Sequence, residues 1–561
     1  MTLILKDVEF TYPEQTTPAI NAMSVRIEDG ECVLVIGPSG SGKTTLLLTM
    51  AGIVPHHTGG TFQGSVFLNQ IDVISTPQHV KGVIGMILQD TEAQLVSMNV
   101  EGEIAFGPEN LCLPRGEIQK RLEWAIQKAR LAGKEQSFVY ALSGGQKQRV
   151  AMAAGLAMHP KVLLLDGPTT NLDPMGAREV LEMIKEVRSA NLSETIVIAA
   201  NRVDEFLSIA TRIIVVNNGE IVLDGTPEQV ILDNIELLTS LGLFVPDIGV
   251  IYAALQTRNQ HQGSRFPTTV EAAAKALSHL QLGEVTPAPE PKKNPGIPVI
   301  NVANVSFAYN NGPLVLTNLS LVVSAGESLA VLGQNGCGKT TLMKLIAGLQ
   351  KPNGGTVLIS GKNTIKHPPL GIVGYVFQNP EHQFVTHTVV AELRLSLSRQ
   401  GLTLEEIEVR VAETLAQFDL VSVRDASPYS LSVGQKRRLS VATMAIMRPK
   451  VLILDEPTTG LDQRRTTQLM NIVHGLVEKG TTLIQVTHDM DQVALFARRV
   501  VVIEDGTIVF DGTPRGLFQQ SNLLRQTKLE APPAARLARL LWPTRVPPIT
   551  VSEFLEATHA T

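Results

Sequence analysis

Two long stretches of this chain repeat one another motif for motif, and that repetition restricts the fold more than any other feature. Gly37-Pro-Ser39-Gly40-Ser-Gly42-Lys43-Thr44-Thr45 recurs as Gly333-Gln-Asn335-Gly336-Cys-Gly338-Lys339-Thr340-Thr341. Leu142-Ser143-Gly144-Gly145-Gln146 recurs as Leu431-Ser432-Val433-Gly434-Gln435. Lys43 and Lys339 are 296 residues apart, whereas Gln89 and Gln378, Ser143 and Ser432, and Asp166 and Asp455 are each 289 apart. The first copy thus carries seven extra residues between its glycine loop and Gln89, and His56–Gly64 is where part of that excess is expected. A repeat of more than about 200 residues is a duplicated domain rather than a solenoid unit. The 561 residues suit two to four domains.

Each copy alternates short apolar strands with helical runs. Leu3–Phe10 and Val299–Phe307 open the copies, and Cys32–Ile36 and Ser328–Leu332 lead into the glycine loops. Helical runs follow at Thr44–Ala51 and Thr340–Ala347, then strands at Val162–Leu165, Thr195–Ala199, Val451–Leu454 and Thr482–Val486. Ile213–Val216 and Val500–Ile503 precede Asn-Gly or Asp-Gly turns. This pattern predicts an α/β fold, a largely parallel sheet covered by helices with antiparallel strands at one edge. Past Asp224-Gly-Thr-Pro227 and Asp511-Gly-Thr-Pro514, each copy continues into a short helix, a Pro-marked turn and another helix. These appendages read either as a module that helps the halves meet or as helical trim on each core. The expected organisation is 1–228 for the first core, 229–282 for its appendage, 283–298 for a Pro-rich linker, 299–515 for the second core and 516–561 for its appendage.

The balance of charge narrows the partners. A net charge of -5 with a pI near 6.2 argues against nucleic acid, whose phosphates call for basic surfaces. Cys32, Cys112 and Cys337 have no paired or metal-like spacing, which suits a reducing compartment. The start, Met-Thr-Leu-Ile-Leu-Lys-Asp, reads as a first strand rather than a signal peptide. No apolar run approaches the roughly 20 residues that span a bilayer.

The repeated loop is G-x4-G-K-[ST], set between a strand and a helix, which is a specific phosphate-binding signature. Its glycines let backbone N–H groups approach phosphates, the helix N-terminus adds favourable polarity, and Lys43 or Lys339 reaches the terminal phosphates. Thr44 and Thr340 are candidate magnesium ligands. Asp166 and Asp455 end apolar strands, where they stand beside that metal. Glu456 follows Asp455 and is the candidate for polarising an attacking water; the plainer reading is a helix-start carboxylate. The first copy has Gly167 there, and glycine offers no base. The second copy reads Gln485-Val-Thr-His488 after its apolar strand, where the first reads Ile198-Ala-Ala-Asn201. Asn201 can hydrogen-bond but is no cationic donor.

Taken together, the two phosphate loops, Leu-Ser-Gly-Gly-Gln, Asp455-Glu-Pro-Thr-Thr-Gly-Leu-Asp462 and Thr487-His488-Asp489 resemble the ATP-binding cassette (ABC) ATPases over nearly the whole chain, from about residue 3 to 228 and from about 299 to 515. The resemblance implies two P-loop cassettes, each with a mixed sheet, a helical subdomain and a small C-terminal appendage, using ATP and Mg2+. It implies head-to-tail pairing of the cassettes within the chain, with each ATP between one cassette's phosphate loop and the other's signature. Lys339, Thr340, Gln378, Asp455, Glu456 and His488 would then pair with Ser143, Gly144 and Gly145. Lys43, Thr44, Gln89 and Asp166 would pair with Ser432, Val433 and Gly434. The metal ligands carried over are Thr44, Gln89 and Asp166, and Thr340, Gln378 and Asp455. The changes Gly167, Asn201 and Val433 all fall on one composite site. The resemblance also suggests that Tyr12 and Tyr309 stack on adenine, and that Asp173 and Asp462 communicate across the pair.

A narrower resemblance follows from Ile87-Leu-Gln89-Asp-Thr-Glu-Ala-Gln94, Val376-Phe-Gln378-Asn-Pro-Glu-His-Gln383 and Phe106-Gly-Pro-Glu-Asn-Leu111. These are similar to ATPases of energy-coupling factor transporters, which import vitamins, vitamin precursors or cobalt and nickel ions. A fused double cassette is similar to those assigned to thiamine or its hydroxymethylpyrimidine precursor. The resemblance implies a transmembrane coupling protein resting near Gln94–Phe106 and Gln383–Leu393, a membrane substrate-binding subunit, and a peripheral place on the cytoplasmic face of the membrane. The second copy departs from Phe-Gly-Pro-Glu, reading Ala391-Glu-Leu-Arg-Leu-Ser396. Two alternatives are soluble double cassettes acting on ribosomes or on DNA. The former carry long charged linkers and complete carboxylates in both copies. The latter need long insertions, for which the 123 residues from Lys43 to Asp166 and the 116 from Lys339 to Asp455 leave no room.

Overall fold

The computed structural model describes residues 1–170, 172, 174–189, 195–258, 266–281, 296–310, 312–398 and 400–558. Asp173 and most of the expected linker, 283–295, lie outside the described residues. The chain divides into two compact units, Met1–Ala276 and Leu277–Thr561.

The first unit contains two sheets. The larger is built on Cys32–Ile36, which lies between Thr195–Ala199 and Arg212–Asn217, parallel to both. Val162–Asp166 and Ile84–Ile87 extend it on one side in parallel, and Glu220–Gly225 closes the other side antiparallel. Cys32–Ile36, Val162–Asp166 and Thr195–Ala199 are buried at every position, as strands covered on both faces must be. The smaller sheet is antiparallel, from Ile20–Ile27 through Leu3–Thr11 and Thr61–Leu68 to Ile71–Asp72. Leu3, Phe10, Val33, Val35, Leu46, Leu47, Met50, Leu164 and Ile214 share one core. That core fixes the helix Lys43–Met50 against both sheets, and so fixes the loop that precedes it.

The second unit repeats this plan. Ser328–Leu332 is parallel to Thr482–Val486 and Arg499–Glu504; Val451–Asp455 and Val373–Val376 extend one edge, and Thr507–Gly512 closes the other. Its antiparallel sheet runs Leu314–Ser324, Pro298–Ala308, Gly354–Ile359 and Lys362–Asn363. A helical part lies between the glutamine strand and the carboxylate strand in each unit: Val100–Asn110, Arg115–Lys128 and Gly144–Ala157 in the first, Val389–Leu397, Leu404–Gln417 and Val433–Ala445 in the second. The α/β fold with an antiparallel edge is therefore present in both copies.

The appendages hold more helix than the sequence pattern suggested. Pro227–Ile231, Ile235–Ser240, Asp247–Thr257 and Val270–Ala276 follow the first sheet, and Pro514–Gln519, Ser521–Gln526, Pro533–Leu541 and Val551–Ala557 follow the second. Thr226 and Thr513 are N-caps with proline at the first helical position, so Thr-Pro starts a helix in each copy. No helix among the described residues is long and apolar enough to cross a membrane.

Candidate functional site

Both glycine loops end in a residue that only glycine fits well. Gly42 and Gly338 cap their helices at φ of 105° and 104°, and a Cβ there would lie 2.4 Å from the Ala19 carbonyl oxygen or 2.6 Å from Leu316 Cδ2. The lysines curl over their loops in the same way. Lys43 Nζ donates to the carbonyls of Gly37 and Pro38 at 2.7 and 2.9 Å, and Lys339 Nζ to those of Gly333 and Gln334 at 2.7 and 2.8 Å. Thr44 Oγ1 donates to Asp166 Oδ2 at 2.8 Å, and Thr340 Oγ1 to Asp455 Oδ2 at 2.9 Å. Burial pushes both carboxyls above the usual aspartate range, against the pull of these hydroxyls and of the neighbouring lysines. A threonine hydroxyl joined to a carboxylate is a hard-oxygen donor set. It fits Mg2+, which takes few protein ligands and shares the rest with phosphates and water.

Beyond this shared floor the units diverge. Glu456 is buried between two partners: Gln378 Nε2 donates to its Oε2 at 3.1 Å, and His488 Nδ1 lies 3.3 Å from its Oε1. Burial pushes the Glu456 carboxyl up, but His488, Lys339 and Gln378 outweigh it and hold the group below the ordinary glutamate range. Burial likewise pushes the His488 imidazole down, and the adjoining Glu456 carboxylate more than reverses that. Each group thus favours the charged form of the other.

In the first unit the backbone is the same and the groups are not. Gly167 N donates to the Ala199 carbonyl at 2.8 Å, as Glu456 N donates to that of Val486 at 2.9 Å. Asn201 therefore stands in the register of His488. Gly167 has φ of 53° and Glu456 φ of 50°, both left-handed. Glycine tolerates this conformation, whereas glutamate holds it at a cost of about 1–2 kcal/mol. A Cβ at Gly167 would lie 2.7 Å from Thr170 Oγ1 and 3.2 Å from Gln89 Cγ. Gly167→Ala is expected to destabilise the first unit by about 1–2 kcal/mol, read as a lowered denaturant midpoint. An unchanged or raised midpoint would contradict the strain assigned here.

The signature residues begin helices. Ser143 and Ser432 are the N-caps of Gly144–Ala157 and Val433–Ala445, each in a reciprocal capping box with Gln146 or Gln435. Val433 is exposed. Ser39, Gly40, Asn335 and Gly336 lie in the phosphate loops, and Thr45 and Thr341 are buried one residue past their ends. The Tyr12 and Tyr309 hydroxyls hydrogen-bond to Thr45 Oγ1 and Thr341 Oγ1 at 3.2 and 3.1 Å, with rings edge-on to Phe10 and Phe307. Asp462 caps the helix Gln463–Glu478.

Four further residues, none of them marked by a motif, contribute to the site or its neighbouring segments. The Tyr375 hydroxyl donates to Asp455 Oδ2 at 3.1 Å. Arg437 Nη1 donates to the carbonyl of Gln378 at 2.7 Å, and burial pushes its guanidinium down to about 10. Glu103 and Glu392 are buried carboxylates that accept backbone N–H groups of Val96 and Ser97, and of Val385 and Thr386, just past Gln94 and Gln383. Their signal was a glutamate on the first turns of helices capped by Asn99 and Thr388.

The pattern of the ABC transporter family matches residues 20–170 and 316–459. The chain belongs to that family. It is a two-cassette ABC ATPase, and ATP is the nucleotide its loops are built to hold. An ABC transporter ATP-binding protein of Caldanaerobacter subterraneus, provisionally so named, is 38% identical over 97% of this chain and 96% of its own. YkoD of Bacillus subtilis, provisionally named an HMP/thiamine import ATP-binding protein, is 35% identical over 94% of this chain and 95% of its own. The solved structure of cbiO1 from Clostridium perfringens, described as part of the ABC transporter complex cbiONQ, has 31% identity, covering 41% of this chain and 94% of its own, at a TM-score of 0.37.

Proposed function

We propose that this ABC ATPase energises import of a vitamin, vitamin precursor or transition-metal ion, hydrolysing ATP at the second cassette's site and mainly holding it at the first. The observation that carries the asymmetry is Glu456 fixed between Gln378 and His488 where the first unit has Gly167. Lys339 and the loop N–H groups bind the phosphates. Thr340, Asp455 and Gln378 would hold Mg2+, which when bound would supply charge neutralisation at the terminal phosphates. Glu456 takes the proton of the attacking water, and Gln378 and His488 keep its two oxygens oriented. His488, whose imidazole Glu456 pushes up, offers a donor to the departing phosphate charge. By family resemblance Ser143, Gly144 and Gly145 complete this site, and Ser432, Val433 and Gly434 complete the other around Lys43, Thr44, Gln89 and Asp166. Tyr12 and Tyr309 serve the adenine.

The transport reading rests on the energy-coupling factor segments and is supported by the name of the Bacillus relative, which makes a thiamine precursor the first solute to try. An exposed apolar face also supports it: Met98 and Tyr140 are 76% and 75% exposed, and Tyr140 stacks on Phe138 at 5.3 Å. Apolar rings left bare beside the glutamine segment suit a helix of a membrane partner. In the second unit Ser427 and His387 stand where Phe138 and Met98 do, by the 289-residue offset, so the two contacts differ in character.

Affinity purification of the tagged chain from detergent-solubilised membranes tests this reading. A multispanning coupling protein and a substrate-binding membrane subunit are the expected stoichiometric partners. The double variant Phe138→Ser, Tyr140→Ser is expected to lose them at least tenfold while the purified chain keeps its ATP turnover. Recovery with ribosomal or DNA-associated proteins alone would overturn the transport reading and leave the ATPase asymmetry standing.

A further inference from the structure

Tyr375 lies on Val373–Val376, the edge strand of the second unit's large sheet, three residues before Gln378. Its side chain is buried, and its ring packs edge-on to Phe377 with centroids 4.7 Å apart. Its hydroxyl donates to Asp455 Oδ2 at 3.1 Å, the same oxygen that accepts the Thr340 hydroxyl at 2.9 Å. Two donors arriving from different elements fix the rotation of one carboxylate. Threonine alone leaves it a hinge.

The first unit lacks the second donor. Tyr375 pairs with Ile453, two residues before Asp455, and in the same register Met86 pairs with Leu164, two residues before Asp166. Methionine has no hydrogen to donate. This difference is separate from Gly167, Asn201 and Val433, and it concerns the metal rather than the water.

We propose that Tyr375 is a positioning residue that holds Asp455 in its metal-binding orientation, making the second unit's site the tighter Mg2+ site of the two. Outer partners of a metal-binding carboxylate commonly set affinity in this way, because they remove orientations that the metal would otherwise have to select against. Tyr375 acts through Asp455, so its effect appears in the metal requirement before it appears in chemistry. The inference rests on the reading of the second unit as an ATP site.

The test uses the full chain carrying Lys43→Ala, which disables the first loop, with Tyr375 intact or replaced by Phe or Met. Retention of labelled ATP is measured against buffered free Mg2+ and again in EDTA. Tyr375→Phe and Tyr375→Met are each expected to raise the half-saturating Mg2+ about tenfold while ATP affinity in EDTA stays unchanged. Tyr375→Met reproduces the residue found in the first unit. An unchanged Mg2+ requirement overturns the proposal, and so does a parallel loss in EDTA, which would mark Tyr375 as packing only. If ATP binding to the Tyr375 parent shows no dependence on Mg2+ at all, the ATP-site reading itself fails, and this proposal fails with it.

Discussion

Replacing Glu456 with glutamine is expected to cut steady-state ATP turnover by about 10²–10⁴-fold while ATP binding persists. Glutamine keeps the length of the side chain and can still hydrogen-bond to Gln378, so the change removes the base and little else. What it loses is the negative charge that His488 and Lys339 hold in place. The reverse experiment should not succeed. Gly167→Glu puts a carboxylate at the right register, but its Cβ would sit 2.7 Å from Thr170 Oγ1 on a left-handed backbone. Asn201 supplies no cation to hold the new charge, and the strain costs about 1–3 kcal/mol with no compensation from an ion pair. No gain in turnover is expected from that variant. Turnover of E456Q close to that of the parent, measured as phosphate release at saturating ATP, would remove Glu456 from its assigned role.

The duplicated core was legible because its signals are local. A strand, a glycine loop with Lys-Thr and an apolar helix are adjacent in sequence, and Cys32–Ile36 and Ser328–Leu332 have the bounds expected of them. The pairing of Asp166 with Ala199 and Asp455 with Val486 also gives Asn201 and His488 the equivalence assigned to them from sequence. Other contributors were hidden because their partners are distant. Tyr375 reaches Asp455 across 80 residues, and Arg437 reaches Gln378 across 59. Nothing about a tyrosine in an apolar strand says that its hydroxyl meets a carboxylate. The backbone strain at Glu456 was also invisible as sequence, although a glycine at the equivalent position hinted at it. The extra appendage helices were hidden for another reason: Asp-Gly-Thr-Pro carries a turn signal and a helix-start signal together, and the first masks the second.

Lys339→Ala and Lys43→Ala together separate the chemistry of the two sites from their shared scaffold. The lysines make matching contacts, each with two loop carbonyls at 2.7–2.9 Å, and each follows a left-handed glycine cap. Their removal is thus nearly the same physical change made twice. Each variant loses a cation from the phosphates and leaves the helix and sheet around it intact. If both sites hydrolysed ATP, each variant would forfeit about half the turnover. With the base and its oriented histidine confined to the second unit, Lys339→Ala is expected to lower turnover by about 10²-fold or more, because positioning and charge stabilisation at the γ-phosphate supply most of the rate in this chemistry. Lys43→Ala is expected to cost far less in the chemical step and to show chiefly as weaker nucleotide retention. Burst and steady-state measurements on the two variants distinguish these cases. Equal losses would mean that the first site turns over as fast as the second, and the asymmetry of Glu456 and Gly167 would then have no kinetic consequence.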